Sequence, residues 1–195
     1  MINKPLMAND DFIKKEAKKH SSEKKRIVTM SKNVIRNEHA EIIKKINVKR
    51  MLCIGCRHDS EIVSFNKNGF SASGIDVAIE TDLIKRMNAH DIKETFSENE
   101  FDVVYSSHSL EHMYDPKLVL EGIKKISKHG VFIVLPIQIN GQPSHSHPTM
   151  FDVMLNPPQR LKKDNPVLDD FSCLGEFKVS YYKKSYDEII MYLTW

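Results

Sequence analysis

A chain of 195 residues with 41% hydrophobic and 28% charged side chains is sized for one well-packed domain, which excludes both two large domains and an extended disordered polymer. No apolar run approaches the roughly 18 residues of a membrane helix, and the opening MINKPLMANDDF has no apolar segment leading to a small-residue cleavage site, so the expectation is a cytoplasmic protein with neither a span nor a signal peptide. The net charge of +3 is unevenly spread: residues 1–50 carry 14 Lys or Arg against 6 Asp or Glu, and residues 51–195 carry 15 against 20.

Taken in order, residues 1–9 read as a loose arm. Asp10 or Asp11 can cap a short helix over FIKKEAKKH, and Ser21 or Ser22 a longer one through Ile46, with Ile27, Met30, Val34, Ile35, Ile42 and Ile43 near helical spacing. Residues 1–50 are therefore expected to form a basic helical extension and residues 51–195 the main domain. A basic front suits an anionic partner such as nucleic acid. Phe12 is its only aromatic ring, which favours solvated lysine faces over a surface that stacks on bases.

The stretch from Met51 to Asp76 organises the remainder. It reads as an apolar strand, a turn at Gly55, a helix from about Asp59 to Asn68 with Ile62, Val63 and Phe65 inward, a stop at Gly69, and a second strand, SASGID. The spacing from Gly55 to Asp76 is about the 20 residues that separate turn and ribose-binding acid in an adenosine-binding βαβ unit. TDLIKRM reads as a third strand and FDVVYSS as a fourth. Asp115-Pro116 opens a helix over PKLVLEGIKKISKHG, with Gly130 just past its end. VFIVLPI is a buried strand, and EFKVSYYKK and DEIIMYLTW form two final strands joined by a tight turn. Alternation of strands and helices predicts a Rossmann-like α/β fold: a mixed seven-stranded sheet, mainly parallel with an antiparallel C-terminal strand, and helices on both faces.

Three cysteines, Cys53, Cys56 and Cys173, are an odd number and suit a reducing compartment. Cys53 and Cys56 form a CxxC with no second CxxC beside it, so they are read as strand and turn residues and no metal is assigned.

In an open parallel sheet the ligand lies outside the carboxyl ends of the strands, where the strand order reverses. Those ends carry Gly55, Cys56 and Arg57; Asp76 and Val77; Asn88, Ala89, His90 and Asp91; SSHSLEH at 106–112; and Pro136 through His147. With LCIGCR, GID, NAHDI, FDVVYSSHSLEHMYDP and VFIVLPI in that order, the chain resembles the class I S-adenosylmethionine-dependent methyltransferases. It is closest to small stand-alone members with an S-L-E-H-x-x-D-P segment, and the resemblance covers roughly 51–136. It implies that Gly55, Cys56 and Arg57 form the turn under the methionine part of S-adenosyl-L-methionine. Asp76, with Val77 beside it, would accept from the ribose hydroxyls, Asn88 and Ala89 would meet the adenine, and Ser106, Ser107 and His108 would line the floor. Where the family usually has an acid followed by three alternating glycines, this chain has Cys53, Gly55, Arg57 and Asp59.

Methyl transfer from such a donor is a displacement helped mainly by proximity and alignment. A hydroxyl or protonated amine acceptor also needs a base, for which His108 and His112 are the catalytic candidates. His145 and His147 are candidate substrate contacts, in front of the 148–172 stretch where the family varies its acceptor site. The expected activity is methylation of an oxygen or nitrogen on a small molecule, a sugar or secondary metabolite. Alternatives are RNA methylation, motivated by the basic front, and a non-catalytic methyltransferase-like binding module. A nicotinamide dehydrogenase shares the first βαβ unit but leaves SSHSLEHMYDP without a role. Acceptor and oligomeric state are not encoded legibly.

Overall fold

The computed structural model of the chain describes residues 37–113, 115–136, 177–184 and 188–195, together with Lys14 and Lys18, which are helical and exposed. Helix α1 spans Asn37–Lys44 and leads into β1 (Arg50–Ile54), α2 (Asp59–Lys67) and β2 (Ser71–Asp76). A short β3 (Ile84–Arg86) precedes a 3-10 turn at Ala89–Asp91, the one-turn α3 (Ile92–Thr95) and β4 (Phe101–Ser107). A second 3-10 turn, Leu110–His112, is followed by α4 (Pro116–Ile126), β5 (Ser127–Pro136), β6 (Lys178–Lys184) and β7 (Glu188–Thr194).

The seven strands form one sheet in the order β3-β2-β1-β4-β5-β7-β6. The first five are parallel, and β7 runs antiparallel to both β5 and β6. The strand order reverses between β1 and β4, the switch point where parallel sheets leave a crevice.

Residue alternation explains the layers. Leu52, Ile54, Val104, Val131, Ile133, Met191 and Leu193 face a core closed by Ile92 of α3 and Val119, Leu120, Ile123 and Ile126 of α4. Met51, Cys53, Val103, Tyr105, Phe132, Val134, Ile190 and Tyr192 face the other core, closed by Ala40 and Ile43 of α1 and Ile62 and Phe65 of α2. With both faces covered, the central strands carry continuous apolar runs. Helix α1 is pinned to the sheet by His39, whose Nδ1 lies 3.1 Å from the Tyr105 hydroxyl and whose ring packs 5.3 Å from Phe132.

Three local expectations are corrected. Val63 is exposed, not inward, because α2 turns only the Ile62 and Phe65 face onto the sheet. The third strand has three residues, ending at Arg86, and does not fill Thr81–Met87. Helix α4 stops at Ile126, so the SKHG segment belongs to β5. Ser127 pairs with Phe101 of β4. Gly130 is a strand residue with φ 148, where an added Cβ would overlap the Leu193 carbonyl oxygen of β7. It is absent of a side chain for a neighbouring strand and does not serve as a helix stop. Among the described residues no helix is long and apolar enough to cross a membrane.

The starts of three strands are tied together by Asp102. Its Oδ2 accepts from the backbone N–H of Lys49 and of Arg50, both at 2.8 Å, and its Oδ1 from Lys128 Nζ at 2.9 Å. Burial works against the charged carboxylate, but the Arg50 N–H, the Lys128 ammonium and the Lys49 N–H outweigh it and pull the group down from 3.8 to about 2. A carboxyl lowered on folding stabilises the native state above its unfolded value and loses that contribution as pH falls through the folded one. Urea denaturation should therefore show stability falling by about 1–2 kcal/mol from this group between pH 4 and 2, a component absent in Asp102→Asn. An identical acid slope in the variant would contradict the assignment.

Candidate functional site

The predicted site residues come from four neighbouring loops. Gly55, Cys56 and Arg57 follow β1, Asp76 ends β2 and Val77 follows it. Asn88 and Ala89 follow β3, while Ser106, Ser107, His108 and His112 end or follow β4. These strands are adjacent and parallel, so all eleven residues stand along one edge of the sheet. His145 and His147, and the 148–172 stretch behind them, lie outside the described residues.

The turn after β1 is held by backbone. The N–H groups of Gly55 and Cys56 both donate to the Ile75 carbonyl of β2, at 2.8 and 3.3 Å. Gly55 has φ 74, and a Cβ there would overlap the Ser109 hydroxyl and lie 2.5 Å from Ser109 Cβ. Two independent reasons thus require glycine: left-handed backbone and the close approach of the loop after β4. Ser109 is buried, and its part in shaping the turn is not visible in the sequence, because 54 positions separate it from Gly55.

Cys56 is turned away from the turn and into the layer under α2. Its thiol reaches the Cys53 carbonyl at 3.2 Å and Glu61 Oε1 at 3.8 Å. The hydrogen bond with Cys53 and burial raise the Cys56 thiol well above its ordinary value. Burial pushes the Glu61 carboxyl up to about 7.

Asp76 is 3% exposed. Its Oδ1 accepts from the N–H groups of Ala78 and Ile79, at 2.7 and 3.0 Å, in a local turn that fixes the carboxylate. Its Oδ2 has no partner among the described residues, and no cation there pairs with it. Asn88 Oδ1 is committed to His90, accepting from its backbone N–H at 3.1 Å and lying 2.8 Å from its Nδ1. His90 Nε2 in turn accepts from the Asp115 N–H at 3.0 Å. The ring is therefore neutral with its proton on Nδ1, consistent with the burial that lowers its pKa. This histidine, given no role by the sequence, ties the loop after β3 to the start of α4.

At the end of β4, the Ser106 hydroxyl is fully buried with no hydrogen-bond partner. An unmet buried hydroxyl costs about 1–3 kcal/mol, which marks a place where a further polar group belongs. His108, exposed, adopts φ 50 and donates its backbone N–H to the Val134 carbonyl of β5 at 2.9 Å. Histidine in the left-handed region costs of order 1 kcal/mol, and such strain collects at sites. His112 closes the 3-10 turn with its N–H on the Ser109 carbonyl at 3.0 Å.

These features fit an adenosyl donor. The second strand ends in a buried carboxylate with one oxygen engaged by backbone N–H groups, and the fourth ends in an enclosed hydroxyl without a partner.

A family model described as a methyltransferase domain matches residues 22–141. Among solved structures, the fold is similar to that of a Burkholderia thailandensis 1,6-didemethyltoxoflavin-N1-methyltransferase with bound 1,6-didemethyltoxoflavin and S-adenosylhomocysteine. That match has TM-score 0.61 and 10% identity, over 99% of this chain and 92% of that one. S-adenosylmethionine-dependent methyltransferases from Aquifex aeolicus (TM-score 0.49, 15% identity, 78% of this chain and 87% of that) and Archaeoglobus fulgidus (0.48, 17%, 80% and 92%) also match. No curated protein matches the chain.

The geometry of the first turn makes a paired prediction. Gly55→Ala should destabilise the fold by about 1–3 kcal/mol through strain and overpacking, measured by urea denaturation. Adding Ser109→Gly should recover part of that loss, since it removes the atoms a new Cβ would strike. A double variant no better than Gly55→Ala would mean that Ser109 does not set the constraint.

Proposed function

The chain belongs to the methyltransferase-domain family, of the class I kind that uses S-adenosyl-L-methionine, and from that premise we propose that it methylates an oxygen or nitrogen of a small-molecule acceptor, a sugar or secondary metabolite. The observation that carries the placement of the cofactor is Asp76. Its Oδ2 is not one of the fully enclosed polar atoms without a partner, so the small exposed part of this carboxylate is open to a donor. The chain supplies two N–H donors to Oδ1, and a ribose would supply hydroxyls to Oδ2.

In this reading the Gly55 turn, with Cys56 and Arg57, lies under the methionine portion. Val77 flanks the ribose, and Asn88 and Ala89 meet the adenine. Since Asn88 Oδ1 is held by His90, the amide nitrogen is the group Asn88 has left to offer the base. Ser106, Ser107 and His108 form the floor. When bound, the cofactor supplies a methyl group on positively charged sulfur, ready for in-line displacement. The protein's part is to align the acceptor and, where the acceptor carries a proton, to take it up. His108 and His112 stand on the loop after β4, and imidazole is a side chain able to take up that proton. His145 and His147 are proposed to touch the acceptor.

A small acceptor is favoured over RNA by charge. The 51–195 portion that bears the site carries 15 Lys or Arg against 20 Asp or Glu, a poor surface for a polyanion. The basic residues 1–50, proposed as a helical extension to the 51–195 catalytic domain, remain the one feature that suits nucleic acid.

Asp76→Asn keeps the size of the side chain and replaces the acceptor oxygen's charge. Losing one charge-assisted hydrogen bond of about 1.5–3 kcal/mol should weaken S-adenosylhomocysteine binding about 10- to 150-fold by calorimetry. Unchanged affinity would remove the ribose from this acid. For the acceptor, methyl-labelled cofactor incubated with fractionated cell extract should label the small-molecule fraction. Label confined to RNA, and lost as salt is raised, would overturn the small-molecule reading.

A further inference from the structure

Beneath the first turn, on the α2 side of the sheet, Cys53, Cys56 and Glu61 bring two thiols and a carboxylate oxygen within 4.8 Å of one another. The methyl-transfer reading uses Cys56 only as part of the turn and gives the thiols of Cys53 and Cys56 and the Glu61 carboxyl no contact of their own. Cys53 stands in β1, Cys56 just past the Gly55 turn, and Glu61 in the first turn of α2. Gly55, at φ 74, bends the chain so that the second thiol returns toward the first. Glycine on the neighbouring strand makes room for the thiol: a Cβ on Gly74 would lie 2.6 Å from Ile62 Cδ1 and 2.8 Å from Cys56 Sγ.

We propose that Cys53, Cys56 and Glu61 form a three-ligand site for a borderline-soft divalent cation of the zinc class. Two thiolates and a carboxylate suit such an ion, and three protein ligands leave a fourth position for water. The spacing agrees. A tetrahedral ion with ordinary zinc–sulfur and zinc–oxygen bonds separates a thiolate from a carboxylate oxygen by about 3.6 Å, and Cys56 Sγ lies 3.8 Å from Glu61 Oε1. Both sulfurs are buried, and Glu61 is half-buried as a whole residue. An ion held there joins the end of β1 to the start of α2 and so braces the Gly55 turn from below. The site does not depend on the acceptor or on cofactor placement.

The test uses the full chain stripped with a chelator and titrated with zinc(II) alone, followed by cobalt(II) for its spectrum. Zinc should bind at one equivalent by calorimetry, and cobalt should give a thiolate-to-metal charge-transfer band. Cys56→Ser should lose that band and bind zinc at least about 100-fold more weakly, while Cys173→Ser should match the wild type. Glu61→Gln, close in size and retaining a hydrogen-bonding group, should weaken zinc by about tenfold and serves if Cys56→Ser does not fold. A cobalt complex with no charge-transfer band would overturn the site, as would wild-type zinc affinity in Cys56→Ser or Glu61→Gln. The three groups would then be a thiol–carboxyl hydrogen-bond cluster and nothing more.

Discussion

The structure depends on the meeting of three strand ends at Gly55. Its N–H and that of Cys56 converge on the Ile75 carbonyl, joining β1 to β2. The absent side chain lets Ser109 approach from the loop after β4. Because an L side chain fits neither the φ of 74 nor that gap, the turn admits glycine alone. One residue thereby fixes how the loops after β1 and β4 face each other across the switch point, where a parallel sheet opens a crevice.

The two ends of the sheet are built on opposite logic. At the strand starts, Asp102 is saturated: two backbone N–H groups and an ammonium satisfy its two oxygens. At the strand ends, polar groups are held in place but incompletely used. Asp76 has one oxygen engaged, and Ser106 has a buried hydroxyl with none. The first end stabilises the fold, whereas at the second the enclosed Ser106 hydroxyl carries a cost and Asp76 keeps one oxygen open to a donor. His90 stiffens the second end without filling it. It must stay neutral to accept from Asp115 N–H, so its lowered pKa favours the native state above the ordinary imidazole range. That contribution is lost as pH falls through the folded value.

How much of this was legible follows from what each residue faces. Strands β1, β4 and β5 read clearly because burial on two sides leaves apolar runs bounded by breakers, while β2, SASGID, was legible only from the Gly69 stop before it and the acid at its end. The ordered series of residues at their ends, from Gly55 through Asp76 and Asn88 to Ser106, could be written down before any coordinates. The end of α4 could not: Ser127-Lys128-His129-Gly130 is polar enough to pass for a helix tail, and only pairing with β4 and the pressure of Leu193 on Gly130 make it strand. Val63 was misplaced because three apolar residues in four do not reveal which pair faces the sheet. Ser109, His90 and Glu61 act through partners distant in sequence or on another element, so no local pattern marks them.

The central claim is that an adenosyl donor lies over the Gly55 turn with its ribose on Asp76. A crystal structure with S-adenosylhomocysteine tests it most directly. The account predicts both ribose hydroxyls within hydrogen-bond reach of the Asp76 carboxylate, at about 2.5–3.0 Å, and the amino-acid portion above Gly55. A ribose held elsewhere, or the Arg57 side chain filling the space over the turn with the nucleoside excluded, would contradict it.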